Sequence, residues 1–164
     1  MASPSTPSPD PIRAWLAAVV CGAEPGPMPD EAALLDVARA EGVLALCHHQ
    51  LRRAPAWTQY PETLREALTR HARQAVAVEL IRAAELRDVL AALAQAGLPV
   101  LLLKGAALAY TLYPEPHLRN RCDTDLLLPD RDAVEQAWRV FQTLGYQRPA
   151  TATAAGEHPT PPAR

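Results

Sequence analysis

Two aspartates separated by one residue are the side chains in this sequence best suited to chemistry. Asp123 and Asp125 flank Thr124 at the start of an apolar run, and side chains alternate along a strand, so a strand here would place both carboxylates on one face. Neighbouring carboxylates at a partly buried strand end need a countercharge, and Mg²⁺ binds one or two carboxylates together with water and phosphate oxygens. The pair therefore predicts a site for Mg²⁺ or Mn²⁺ and a phosphate-bearing substrate. Two solvated acids that cap an edge strand are the alternative.

A turn upstream offers groups that could bind the phosphates. Residues 100–103 are an apolar run that suits a buried strand, and Lys104 and Gly105 end it. Gly105 would let the backbone approach a ligand, and the N–H groups at the start of a helix over residues 106–113 would form an anion site. Lys104 is the only lysine in the sequence and would act as a point charge on phosphate oxygens. A lysine that extends from a strand end into solvent is the alternative.

The order of polar and apolar residues around the aspartates separates three classes of phosphate-handling protein. Haloacid-dehalogenase-like phosphatases and D-x-D glycosyltransferases carry their acids at the end of a hydrophobic strand. Here residues 117–122, before the acids, are mostly polar, and residues 126–128, after them, are apolar. The acids therefore lie where a strand begins. A strand, a glycine-containing turn, a helix and a second, acid-bearing strand resemble the polymerase-β-like nucleotidyltransferases.

Two segments, LLKGAALAYTLYP and LRNRCDTDLLL, more closely resemble a family described as uncharacterised nucleotidyltransferases. That family has L-K-G, a short helix ending in Tyr, an Arg, and then D-h-D-h-L. The resemblance implies Mg²⁺-dependent transfer of a nucleoside monophosphate from an NTP to the hydroxyl of an unknown acceptor, a small molecule or a protein. It implies that Asp123 and Asp125 are catalytic and bind the metal, and that Lys104, Gly105 and Arg119 bind the nucleotide phosphates. For Arg119, a structural ion pair with one of the aspartates is an equal alternative.

The chain departs from the pattern of the superfamily at two places. Gly-Ser or Gly-Gly is usual at the phosphate turn, whereas Gly105 is followed by Ala106, which has no hydroxyl. A third carboxylate from a later strand normally completes the metal site. The later acids of this chain fall at a turn, on a helix and in the tail: Asp130, Asp132, Glu135 and Glu157. The alternative function is therefore a truncated, non-catalytic remnant that acts as a nucleotide-binding or protein-partner module.

The elements that would position these groups are mainly helical. Hydrophobic periodicity and terminal residues predict helices over residues 12–21, 31–40, 43–53, 61–97 and 131–144. We expect a mixed α/β (α+β) fold in which a helical region, residues 12–97, packs on a small, incomplete nucleotidyltransferase-type sheet within a partial core, residues 98–147. Residues 100–103 and 123–128 should be neighbouring strands. The Pro/Ser-rich residues 1–11 and the tail, residues 148–164, should be disordered.

Apolar stripes predict which faces of the two long helices are buried. In the first the stripe comprises Leu64, Leu68, Ala75, Val78, Leu86, Val89 and Leu93. In the second it comprises Val134, Ala137, Trp138, Phe141 and Leu144. The charged residues between them should be solvated. A third strand could follow residue 146, and an exposed edge of the short sheet predicts self-association.

Composition excludes several other classes of function. The formal charge of −2 gives no basic field for duplex nucleic acid, and the apolar patch over residues 15–20 is too short to span a membrane. Three widely spaced cysteines indicate reduced thiols in a cytoplasmic protein. His48 and His49 point about 100° apart on a helix and have no second ligand cluster, so we interpret them as ordinary core or surface residues.

Overall fold

The computed structural model describes residues 10–148 and shows a mixed α+β fold, as predicted. Its α-helices and strands, in chain order, are α1 Pro11–Val20, α2 Glu31–Ala40, α3 Leu44–Leu51, α4 Glu62–Gln95, β1 Leu101–Leu103, α5 Lys104–Thr111, β2 Asp125–Leu127 and α6 Arg131–Thr143. Two 3₁₀ helices, Pro55–Gln59 and Pro116–Leu118, lie in the connections. Asp10 and Pro11, expected to be disordered, are the N-cap and first residue of α1. The rest of the two predicted disordered segments, residues 1–9 and 149–164, lies outside the described residues, whereas Arg148 is placed.

The described residues form two compact units, of which the first comprises residues 10–84 and Leu102–Leu126. Its hydrophobic core is built from α1, α2, α3 and the start of α4, and the buried side chains are Trp15, Leu16, Val19, Leu34, Ala38, Leu44, Cys47, Leu51, Leu64 and Leu68. Burial of one such leucine is worth about 1.5–3 kcal/mol. Asp30 caps α2 by accepting a hydrogen bond from the Ala33 N–H at 3.0 Å. The core therefore fixes the first two turns of α4, from which the rest of the helix extends.

Among the described residues, the second unit comprises Glu85–Leu101 and residues 127–148. Its buried residues come from the end of α4, the connection to β1, and α6: Leu86, Val89, Leu93, Leu98, Ala133 and Ala137. Asp130 caps α6 by accepting a hydrogen bond from the Ala133 N–H at 2.8 Å. The rings of Trp138 and Phe141 pack edge to face, with centroids 6.2 Å apart.

The buried stripe of α4 differs from the predicted one at its middle. Val78 is exposed and Ala75 only half-buried, whereas Ala72 and Glu79 are buried. Two helical turns are close to seven residues, so Ala72, Glu79 and the later leucines at 86 and 93 share one face. Glu79 therefore occupies the buried position between residues 72 and 86. The prediction was based on apolar residues alone, and so it placed Val78 in the buried stripe instead.

The α6 stripe was also partly wrong. Ala137 is fully buried, and Trp138 and Phe141 are half-buried, but Val134 and Leu144 are exposed. No strand follows α6 as far as Arg148, the last residue described.

The sheet consists of β1 and β2, which are antiparallel neighbours. This confirms that the two apolar runs pair, but β2 begins at Asp125, two residues later than predicted. Because β1 has only three residues, it offers pairing partners to only a short stretch of β2. Leu101 and Leu127 are exposed, and self-association through this sheet stays a prediction. Among the described residues, no helix combines the length and apolar character needed to cross a membrane.

Candidate functional site

The junction between β1 and α5 contains no connecting residue. β1 ends at Leu103, and α5 begins at Lys104, two residues earlier than predicted. Lys104 has a φ of +48°, a left-handed conformation that costs a residue with a Cβ about 1–2 kcal/mol. Gly105 is not among the glycines with positive φ. The backbone strain at this junction is therefore stored at Lys104, and the neighbouring glycine does not relieve it.

Gly105 lies against the segment that leads to the aspartates. A Cβ built on Gly105 would be 3.5 Å from the Cβ of Arg121, which is ordinary van der Waals contact. Ala106 and Ala109, on the same side of α5, are fully buried, and Gly105 is half-buried. Small residues thus line the buried face of α5, and its first turn packs next to the segment that precedes β2.

Lys104 and Asp125 form an ion pair where the two strands meet. Lys104 Nζ donates a hydrogen bond to Asp125 Oδ1 at 3.3 Å, and the two side chains are 75% and 33% exposed. Exposed pairs of this kind contribute at most about 1 kcal/mol to folding. The ammonium group has three donors, so two remain for other partners. The pairing of β1 with β2 therefore brings the predicted phosphate-binding lysine to a predicted metal-binding carboxylate.

Asp123 occupies a different environment from Asp125. It is exposed, precedes β2, and forms no hydrogen bond or ion pair within the described part of the chain. The expectation of a shared strand face therefore does not apply to Asp123, because the residue lies outside the strand.

Arg119 does not contact either aspartate. Its Nη1 donates a hydrogen bond to the carbonyl oxygen of the next residue, Asn120, at 3.0 Å. Within residues 10–148, no ion pair joins it to Asp123 or Asp125. Of the two roles that the sequence left open, the structural pair is absent, and phosphate binding by Arg119 stays a prediction.

A buried ion pair that sequence reasoning missed supports the segment before the aspartates. Arg121 Nη2 donates a hydrogen bond to Glu79 Oε1 at 2.7 Å, and the two side chains are only 2% and 10% exposed. Arg121 Nη1 also donates to Thr124 Oγ1 at 3.4 Å, within the D-T-D motif itself. Arg121 Nε is buried and has no hydrogen-bond partner. The pair therefore connects the motif to the middle of α4.

Tyr110 completes this network from α5. Its hydroxyl donates a hydrogen bond to Glu79 Oε1 at 2.9 Å, and the Arg121 guanidinium carbon lies 5.7 Å from the centre of its ring. Burial, and then the Glu79 carboxylate, raise the pKa of Tyr110 above its ordinary value, so the phenol keeps its proton. α4, α5 and the aspartate motif are therefore joined through one carboxylate. Two features of the sequence could have indicated this network: the position of Glu79 on the buried face of α4, and an arginine two residues before Asp123.

The donor set is suited to a partial Mg²⁺ site. Asp123 and Asp125 supply hard carboxylate oxygens, the ligand type that Mg²⁺ prefers. In the part of the chain that the structure describes, no group of three or more His, Cys, Asp or Glu side chains is placed to hold a metal ion. Phosphate and water oxygens would have to supply the other ligands, so metal binding would depend on the nucleotide.

The expected order of a strand, a helix and a second, acid-bearing strand is present as β1, α5 and β2, with Asp125 as the first residue of β2. The sequence model of the uncharacterised nucleotidyltransferase family matches residues 27–161. The chain belongs to that family. Membership supports a general nucleotidyltransferase function and implies a nucleotide substrate. No curated protein and no solved structure gives a significant match.

Proposed function

We propose that this protein binds an NTP as its Mg²⁺ complex and transfers the nucleoside monophosphate to an acceptor hydroxyl. In this reaction the acceptor oxygen bonds to the α-phosphorus, the bond from that phosphorus to the bridging oxygen breaks, and pyrophosphate leaves with the bond electrons. The hydroxyl proton passes to a base. The observation that carries the proposal is the 3.3 Å contact between Lys104 and Asp125, at the strand junction of a nucleotidyltransferase-family chain.

Each residue at the junction has a proposed role. Asp123 and Asp125 hold Mg²⁺ or Mn²⁺, which when bound supplies positive charge against the triphosphate. Lys104 exchanges its contact with Asp125 for one with a phosphate oxygen, and the Gly105 N–H, in the first turn of α5, donates to the same group. Arg119 adds a second cation near the motif. These groups fix the triphosphate so that the α-phosphorus is presented to the acceptor.

Removal of the acceptor proton requires a base close to the acceptor hydroxyl. The later acids that the structure describes have other roles or positions. Asp130 caps α6, Glu135 binds Arg148, and Asp132 lies exposed in the first turn of α6. Without a positioned base, the step loses roughly 10²–10⁴-fold. We therefore expect nucleotide binding to be easier to detect than transfer.

Calorimetry with ATP, with and without Mg²⁺, tests the proposal. Wild type should bind ATP more tightly with Mg²⁺ than without it, because the phosphates and the two carboxylates share the ion. Asp123→Asn and Asp125→Asn keep the side-chain size and remove one charge each, and both should abolish the dependence on Mg²⁺. Asp132→Asn is the matched control, since it removes an exposed carboxylate outside the junction. If Mg²⁺ strengthens ATP binding equally in wild type and both variants, the aspartates do not bind the metal.

A second candidate is a non-catalytic nucleotide-binding or protein-partner module. It is favoured by the lack of a three-ligand acidic or histidine group among the described residues. Pyrophosphate release in the presence of Mg²⁺ and an NTP separates the candidates. Binding that depends on Mg²⁺ without any pyrophosphate release, across small-molecule and protein acceptors, would favour the module.

A further inference from the structure

A large cavity in the first compact unit is lined by none of the strand-junction residues. Its volume is about 730 Å³, within the range of small-molecule sites. Its walls are formed by α3, the first 3₁₀ helix, the first half of α4 and the segment around the second 3₁₀ helix. Its basic and imidazole groups are His48, His49, Arg52, Arg53, Arg73 and His117. The one acid in the wall is Glu115.

The charges in this wall are not balanced. Glu115 lies 3.4 Å from the imidazole of His117, whereas Arg52, Arg53 and Arg73 form no ion pair with any described carboxylate. With neutral histidines the wall carries three positive charges against one negative charge. Like charges that face one cavity repel, and a cavity lined by one sign of charge attracts ions of the other sign. The wall is therefore complementary to an anion.

The wall also contains a flat apolar surface. Trp57 comes from the first 3₁₀ helix, and the ring of His48 packs against it edge to face, with centroids 5.8 Å apart. Thr69 Oγ1 lies 3.3 Å from Nε2 of the same histidine and fixes its orientation. Ala72 and Val76 of α4 add small apolar contacts. An organic group with a charged end would match both parts of this surface.

We infer that this cavity binds a small organic phosphate ester, with the phosphate held by Arg52 and Arg73 and the organic part against Trp57. Arginine is the side chain best suited to bidentate contact with phosphate oxygens. This site shares no residue with the proposed nucleotide site, and the inference does not depend on the proposed function.

Phosphate binding in this cavity should change the protonation of the two neighbouring histidines, His48 and His49. Burial and then Arg52 lower the pKa of His48, with smaller contributions from His49, His117 and Arg73. Burial and then Arg53 lower the pKa of His49, against a raising effect of Glu115. His49 Nε2 also contacts Arg53 Nη1, which favours the unprotonated ring. A bound phosphate would offset these cations, so the pKa of both histidines should rise.

Phenyl phosphate in the presence of EDTA is a suitable probe, because chelation removes the metal that the strand-junction site would need. Arg52→Gln and Arg73→Gln should each weaken its binding by about tenfold, the effect of one charge-assisted hydrogen bond. Arg70→Gln is the matched control, since Arg70 is exposed on the same helix and does not line the cavity. Thermal melts of the variants without the probe check that each one is folded.

Histidine resonances give an independent readout. On saturation with phenyl phosphate, the ring resonances of His48 and His49 should titrate at higher pH, while those of His71 should not move. His71 is the control because it is half-buried on α4 with a pKa lowered by burial, yet lies outside the cavity wall. Three results would each overturn the inference: no binding by wild type, equal weakening by Arg70→Gln and Arg73→Gln, or loss of binding in Lys104→Gln with Arg73→Gln unaffected.

Discussion

Arg121 and Glu79, 42 positions apart in the chain, form a 2.7 Å hydrogen-bonded ion pair that is almost fully buried. Arg121 lies two residues before Asp123, and Glu79 lies at the middle of α4 on its buried face. Tyr110 donates to the same Glu79 oxygen from α5. This buried ion pair therefore holds the aspartate motif in place without any bound ligand.

Removal of Glu79 should destabilise the protein strongly. Glu79→Ala leaves the Arg121 guanidinium buried without its counterion, and breaking such a pair costs about 3–5 kcal/mol. Chemical denaturation of wild type and variant measures the loss. Glu66→Ala, an exposed glutamate on the same helix, is the control and should change the free energy of unfolding by less than about 0.5 kcal/mol. A double variant, Glu79→Leu with Arg121→Met, should recover most of the loss, since it removes both charges. Equal stability of Glu79→Ala and Glu66→Ala would contradict the structural role.

Glycine should be more stable than alanine at position 104. Both Lys104→Gly and Lys104→Ala remove the ion pair with Asp125, so the comparison isolates the backbone at φ +48°. Glycine adopts this conformation without the Cβ clash, and we expect it to exceed alanine by about 1 kcal/mol in free energy of unfolding. Denaturant titration of the two variants gives this difference directly. An alanine variant as stable as the glycine variant would show that Lys104 is not strained.

Lys104→Ala should weaken nucleotide binding more than it weakens the fold. Loss of one charge-assisted hydrogen bond to phosphate costs about 1–3 kcal/mol of binding, whereas the exposed pair with Asp125 contributes less than about 1 kcal/mol to folding. Thermal melts with and without Mg–ATP separate the two effects. Arg119→Ala should likewise leave the melt without nucleotide nearly unchanged, since its described contact is to the Asn120 carbonyl. If Lys104→Ala keeps the full stabilisation by Mg–ATP, Lys104 does not contact the phosphates.

The stability of the second unit should fall at alkaline pH through Tyr146. Burial raises the pKa of this phenol to about 12, and its hydroxyl donates to the Glu85 carboxylate. Because the folded-state pKa lies above the ordinary value of 10.0, this contribution is present below pH 10 and is lost as the pH rises toward about 12. Tyr146→Phe should therefore be less stable than wild type at pH 8, and the difference should shrink between pH 10 and about 12. Tyr113→Phe, which removes a phenol with no described carboxylate partner, is the matched control.

Thiol labelling should distinguish Cys47 from the other two cysteines. Cys47 is buried in the core of the first unit, and burial raises the pKa of its thiol to about 12, so the reactive thiolate is scarce at neutral pH. Cys21 and Cys122 are exposed. A chromogenic disulfide reagent should titrate two thiols in the native protein and three in denaturant, and Cys47→Ser should leave the native count unchanged. Rapid native labelling of three thiols would show that the core opens readily.

The elements that sequence reasoning located well are those with local signals. The predicted bounds of α2, residues 31–40, are confirmed, and Asp30, a residue type typical of the N-cap, precedes that helix. Gly97, with a φ of +71°, follows α4 close to the predicted end of that helix. The errors came from interactions between segments distant in sequence. The short β1 limits where β2 can begin, which leaves Asp123 outside the strand. Glu79 is buried because it forms an ion pair with Arg121. When that partner is unknown, the sequence pattern predicts that a charged residue on a helix is exposed to solvent.

The direct passage from β1 into α5 constrains how this chain can change length. One residue inserted between Leu103 and Lys104 would rotate α5 by about 100° relative to the strand, since each helical residue turns by that angle. The rotation would carry Ala106 and Ala109, now fully buried, out of their packing positions and bring larger side chains in their place. It would also separate Lys104 from Asp125. Insertions and deletions should therefore be accepted elsewhere, such as in the connection between α1 and α2, but not at this junction.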